Sequence, residues 1–185
     1  MAMSDTSYST FARIMHWSMA LFILSTIPVG FLMIQEGLSR SLQNSLFIYH
    51  KNVGVLILVL AVIRLAYRGF RPPPPLPDHV PVWQQRAAGA SHTALYVLII
   101  AMPVAGYVRV VAGGFPIETL DAMGFPRLVP ESKPLAETAK TLHFYGSYVI
   151  AGLAGVHIMA ALQHGLLKKD GVFSRMWPPV RRGAD

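Results

Sequence analysis

Seven histidines occur in this chain, and six of them, His16, His50, His92, His143, His157 and His164, fall in or at the ends of strongly apolar stretches. Only His79 sits in a connector. An ionisable side chain is costly to keep in an apolar segment, and it usually marks a site that binds or reacts. The spacing is regular. His143 and His157 are fourteen residues apart, as are His16 and Gly30, His50 and Arg64, and His92 and Gly106. At about 100° and 1.5 Å per helical residue, that interval returns to within about 40° of the same face and rises roughly 21 Å. His164, seven residues past His157, stays within about 20° of the face and lies roughly 10 Å further along. One helix therefore carries a histidine stripe at several depths.

The elements that must hold these imidazoles are membrane spans. Of 185 residues, 53% are hydrophobic and 14% charged, and a mean hydropathy of +0.44 places the chain among membrane proteins. Four apolar windows, Ile14 to Ile34, Leu46 to Tyr67, Ala90 to Val108 and Thr141 to Leu167, approach the roughly 20 residues needed to cross a bilayer. They predict helices over about 10–34, 46–68, 90–111 and 141–167. The fold expected is all-α, a four-helix membrane bundle forming one domain over 1–185. The second window is weakest, since it must place Lys51 and Arg64 near or inside the membrane. Lys51 can snorkel, whereas Arg64 needs a reason. The first window is too long for a secretory leader and no cleavage motif follows Pro28, so it is expected to remain in the mature protein.

Basic residues set the orientation. With the N-terminus inside, the inner side collects nine, Arg13, Arg68, Arg71, Arg86, Lys168, Lys169, Arg175, Arg181 and Arg182. The outer side has six, Arg40, Lys51, Arg109, Arg127, Lys133 and Lys140. Both termini are thus expected inside. The net charge of +7 does not point to nucleic acid, because the basic residues flank spans instead of forming a stripe with interleaved aromatics. Anionic lipid headgroups account for them better. Two connectors are long: residues 70–82, dense in proline and necessarily extended, and residues 113–140, able to fold over the outer mouth. Pro28 and Pro103 fall inside spans and read as packing bends.

Depth then pairs the histidines. The second helix enters from outside with His50 at its start, level with His143, while His16 near the inner start of the first helix is level with His157. There is no cysteine, so disulfides, iron–sulfur clusters and covalent c-type haem are excluded. Zinc wants three or four ligands, and neither pair has a third in place. A proton relay would space its groups more closely than ~20 Å. A haem gripped by one imidazole on each face needs only two ligands, so two stacked b-type haems fit best. Gly30, Gly54, Gly106 and Gly146 lie in register with the histidines and would let a flat macrocycle approach, although small residues also serve plain helix packing. Arg64 would point inward at the depth of the inner haem and pair with a propionate or a quinone oxygen, or else snorkel to inner headgroups.

The stretches "RIMHWS", "YHKNVGVLILVLAVIRLAYR", "HTALYVLIIAMPVAGYV" and "LHFYGSYVIAGLAGVHIMAALQHGLLKKDG" resemble the bacterial cytochrome b561 family, small di-haem proteins of the inner membrane related to hydrogenase cytochrome b subunits. The resemblance covers nearly the whole chain. It implies haem ligation by His16 with His157 and by His50 with His143, in agreement with the depth pairing, and a multi-pass inner-membrane location with cytoplasmic termini. Characterised members include a superoxide oxidase that passes electrons to ubiquinone. On that reading Lys51, Arg109 and Lys140, with Arg127 and Lys133, would draw superoxide to the outer haem edge. His164, His92, Arg13, Trp17 and Arg64 would receive the quinone beside the inner haem. For Lys51, Lys140 and Trp17, plain interfacial anchoring competes. Two rivals remain open. The chain could be an anchor subunit passing electrons between a hydrogenase or dehydrogenase and the quinone pool, or a histidine-based proton-coupled transporter that would show no haem absorbance.

Overall fold

A computed structural model describes residues 7–178. Five α-helices follow in order, α1 Thr10–Leu32, α2 Arg40–Phe70, α3 Val82–Ala112, α4 Glu118–Ala122 and α5 Lys133–Leu162, and no strand occurs among the described residues. All but α4 are long and apolar enough to cross a membrane, which gives the expected four-helix bundle.

Three of the long helices start at a serine whose hydroxyl accepts a backbone N–H that the helix leaves unpaired. Ser9 accepts from Ala12 at 3.2 Å, Ser39 from Leu42 at 3.3 Å and Ser132 from Leu135 at 3.4 Å. α2, α3 and α5 begin six to eight residues before the apolar windows imply, at Arg40, Val82 and Lys133. Hydropathy reports where the bilayer begins, and the helix runs on into water until a cap or a proline stops it. α1 and α3 pass through Pro28 and Pro103 without a break in assignment.

The closest helix packing is α1 on α2, α2 on α3, and α3 on α5, while α5 stands off from α1 and α2. His143 and His157 reach across that separation toward His50 and His16. Leu21, Val62, Val97 and Val156 face outward, as apolar side chains do when the solvent is lipid.

Both ends of the bundle are covered, the end where α1 begins being labelled inner and the opposite end outer, after the orientation expected from the charges. At the inner end α5 widens into a π-helical turn, Gln163–Lys168, and stops at Lys169 in the left-handed region (φ 50°). The chain then folds back beneath the bundle. Buried Arg175 donates to the carbonyls of Pro74 and Pro75, both at 2.8 Å, fastening this tail to the extended proline connector. At the outer end α4 is tied to α2, where Asn52 accepts from the Thr119 N–H at 2.9 Å and donates to Glu118 at 3.1 Å.

Candidate functional site

The outer histidines are seated by backbone. His50 Nδ1 lies 3.1 Å from the Thr26 carbonyl of α1, and His143 Nδ1 lies 2.9 Å from the Met102 carbonyl of α3. With Nδ1–H donating, each ring keeps its Nε2 lone pair for another partner. Four residues beyond each acceptor is a glycine on the same helix face, Gly30 after Thr26 and Gly106 after Met102. A Cβ on Gly30 would stand 2.9 Å from His50 Cε1, and one on Gly106 would stand 3.2 Å from His143 Cε1. Both glycines therefore open notches into which the imidazoles drop to reach the carbonyls. Gly54 has open space in front of it and lines the cleft between the two rings, which is walled by Ile23, Phe31, Ile57 and Ile150. A Cβ at Gly146 would press on Met102 Sδ, so this glycine sits where α3 and α5 pack closely.

The resulting geometry has the same measure twice. Ring centroids are 6.0 Å apart for His50 and His143 and 6.1 Å apart for His16 and His157, with the planes inclined by 78° and 71°. A nitrogen ligand sits about 2 Å from a first-row metal. Two imidazoles that held one iron between them would have their ring centres about 6 Å apart, with about 1 Å from each nitrogen to its ring centre. Both pairs have the residue type and spacing that would hold a haem iron. No group of three or more metal-binding side chains occurs among the described residues, which leaves zinc without its usual ligand number.

Around the inner pair, His92 of α3 places its ring 5.4 Å from that of His157, and Trp17 packs edge-on against His16 at 5.5 Å. Arg64 reaches inward as its spacing implies, donating from Nη1 to the Ala12 carbonyl at 2.7 Å and from Nε to the Tyr96 hydroxyl at 3.0 Å.

Other residues singled out in the sequence are engaged elsewhere. Arg13 is 2% exposed and donates to the Pro178 carbonyl at 2.9 Å, while the Trp17 indole N–H donates to the Met176 carbonyl at 2.9 Å. His164 pairs with Asp170 at 2.6 Å. These three hold the C-terminal tail, and of the group His92, Arg64 and the ring of Trp17 remain beside the inner pair. Burial alone would raise the Asp170 carboxyl, but the His164 hydrogen bond, the Val172 N–H and the charges of His164 and His79 outweigh it and hold it below the usual range.

At the outer face Lys51 donates to Glu118 at 2.6 Å and to the Pro116 carbonyl at 2.7 Å. Glu118 is held below the ordinary carboxylate value, because the Lys51 and backbone hydrogen bonds, the Lys51 charge and the Asn52 amide overcome the opposing effect of burial. Lys140 pairs with Glu137 and Arg127 with Glu131. Arg109, on the last turn of α3, makes no ion pair among the described residues and acts electrostatically on both His50 and His143.

Sequence comparison decides the family. Residues 7–179 match the prokaryotic cytochrome b561 family. The chain belongs to it. Among curated relatives, a cytochrome b561 homolog 2 of Escherichia coli (strain K12) is 30% identical over 170 residues, covering 91% of this chain and 90% of the relative. A cytochrome b561 homolog 1 of the same organism is 27% identical, covering 89% and 93%. A probable superoxide oxidase, CybB, of Yersinia pestis is 26% identical over 178 residues, covering 94% and 97%. This cytochrome b561 is thus a multi-pass membrane electron-transfer protein, and its family implies haem b.

Proposed function

We propose that this cytochrome b561 binds two b-type haems, an outer one between His50 and His143 and an inner one between His16 and His157, and oxidises superoxide at its outer face while reducing ubiquinone beside the inner pair. The observation that carries the reading is the repeated separation of about 6 Å between imidazoles at two depths of one bundle. When bound, the haems supply one-electron transfer between the two faces of the membrane.

The protein's own groups do the rest. The Thr26 and Met102 carbonyls orient the outer imidazoles through Nδ1 and fix which nitrogen faces the cleft. Arg64, anchored by Ala12 and Tyr96, brings a positive charge to the inner pair, where a propionate or a quinone oxygen would take it up. His92 stands beside His157 as the donor for a quinone oxygen. Outside, Lys51, Lys140 and Arg127 carry their own counter-charges, so attraction of an anion rests mainly on Arg109 and Lys133, which have no ion pair among the described residues. In balance, two superoxide anions each give up one electron and leave as dioxygen, and one quinone takes two electrons and two protons. The excess of Lys and Arg on the side that carries the termini supports a cytoplasmic location for both.

A second reading, an anchor subunit for a hydrogenase or dehydrogenase, is favoured by one feature. The outer connector exposes Phe115, Met123 and Leu128, an apolar surface on which a redox partner could dock. Rapid mixing separates the two. Purified haem-loaded protein is mixed with superoxide and then with a short-chain ubiquinone while the Soret band is followed. Fast reduction and quinone-dependent reoxidation support the oxidase, and inertness toward superoxide rejects it in favour of the anchor.

A further inference from the structure

A second, shallow cavity opens at the inner end of the bundle, between α1, α2 and α3. Its basic wall is a ladder on one face of α2. Arg64, Arg68 and Arg71 recur at i, i+4 and i+7, so their side chains stack along the helix over roughly 10 Å. Arg71 is the C-cap of α2 and is exposed, which puts the top rung where the helix leaves the membrane. No carboxylate lines the cavity, and none of the three guanidiniums has an ion pair among the described residues. The rungs are also pre-positioned. Arg68 lies over the Tyr96 ring at 5.4 Å, and Tyr67 is held by a 2.7 Å bond between its hydroxyl and Ser9. Below them the wall turns apolar, with Phe11 against the Tyr67 ring at 4.6 Å and Met15 behind.

Unpaired guanidiniums above an apolar slot, at the end of a membrane span, call for an amphiphile with a phosphate head. We propose that this cavity is a binding site for one anionic phospholipid, the phosphate held by Arg68 and Arg71 with the Tyr8 hydroxyl, and an acyl chain lying against Phe11. Arg64, the deepest rung, is held by the Ala12 carbonyl and the Tyr96 hydroxyl and bounds the site from below. The site needs neither superoxide nor quinone, so it stands or falls separately from the redox reading.

The test uses full-length, haem-loaded protein, delipidated in neutral detergent and titrated with phosphatidylglycerol or phosphatidylcholine under native mass spectrometry. One phosphatidylglycerol is expected to stay bound where phosphatidylcholine does not. The double variant Arg68→Gln/Arg71→Gln, with its Soret band unchanged, is expected to bind it on the order of thirtyfold more weakly, from about a fivefold loss per arginine removed. Equal retention of the two lipids, or wild-type phosphatidylglycerol binding by the double variant, overturns the proposal. Inorganic phosphate competing as strongly as the lipid assigns the pocket to free phosphate and overturns it as well. If the double variant loses haem, the exposed Arg71→Gln alone decides, with a severalfold loss of phosphatidylglycerol binding expected and no loss contradicting the site.

Discussion

Gly30→Ala tests how the outer histidines are held. The new methyl would lie 2.9 Å from His50 Cε1, whereas carbon contacts relax at about 3.5 Å or more. The imidazole must retreat by about 0.6 Å. Its Nδ1 to Thr26 distance, already 3.1 Å, then exceeds the limit of a hydrogen bond near 3.5 Å. Losing that bond costs about 0.5–1.5 kcal/mol and frees the ring to rotate away from His143. Gly106→Ala asks less, since its methyl would meet His143 Cε1 at 3.2 Å and a retreat of about 0.3 Å restores contact. Gly152, exposed and with nothing within 4 Å, is the control, where alanine is expected to be neutral or slightly stabilising. The assay is haem per protein with a potentiometric titration of the Soret band. Gly30→Ala should lose or shift one component only, Gly106→Ala should shift the same component less, and Gly152→Ala should match wild type. A wild-type titration for Gly30→Ala, or disturbance of both components alike, would refute the seating argument.

Other consequences follow from the charge arrangement. Glu118→Gln removes the carboxylate that neutralises Lys51 but leaves the Pro116 carbonyl to position it, so reduction by superoxide should quicken at low salt and converge on wild type as salt screens the field. Arg109→Gln should slow the same step severalfold, and an unchanged rate would remove Arg109 from the account. Asp170 has its folded pKa depressed below the ordinary carboxylate value of 3.8. Its pair with His164 therefore stabilises the tail above that pH and loses the contribution as pH falls through the folded value. Fluorescence of Trp177, which packs on Trp17 and Phe173, should report release of the tail only in strong acid, and release between pH 5 and 7 would contradict the Asp170 assignment.

Much of the site was legible because helix rotation and rise are rigid. The fourteen-residue intervals put His143 and His157 on one face, and the direction of each span paired them with His50 and His16, the pairs found adjacent in the structure. The same intervals flagged Gly30 and Gly106, but not what they accommodate. That depends on carbonyls of other helices, Thr26 and Met102, whose approach no spacing encodes. The inner group expected to meet a quinone dispersed for a similar reason. Arg13 and Trp17 bond to residues more than 150 positions away in the tail, and hydropathy carries no trace of that fold-back. Lys51 read as a free cation because Glu118, 67 residues on, returns through α4, a helix of five residues without a periodic signature. The starts of α2 and α5 were set by serine caps beyond the apolar windows, and that of α3 by Pro81. A Ser-x-x pattern is too common to choose among without the coordinates.

The account depends most on which histidines share an iron, and haem counts in paired variants measure that directly. His50→Ala/His143→Ala removes both ligands of one proposed site, and the remaining protein should hold one haem and keep one Soret component. His16→Ala/His50→Ala removes one ligand from each and should hold none. Loss of both haems from the first variant, or retention of a haem of unchanged potential by the second, would contradict the pairing on which the proposed electron path rests.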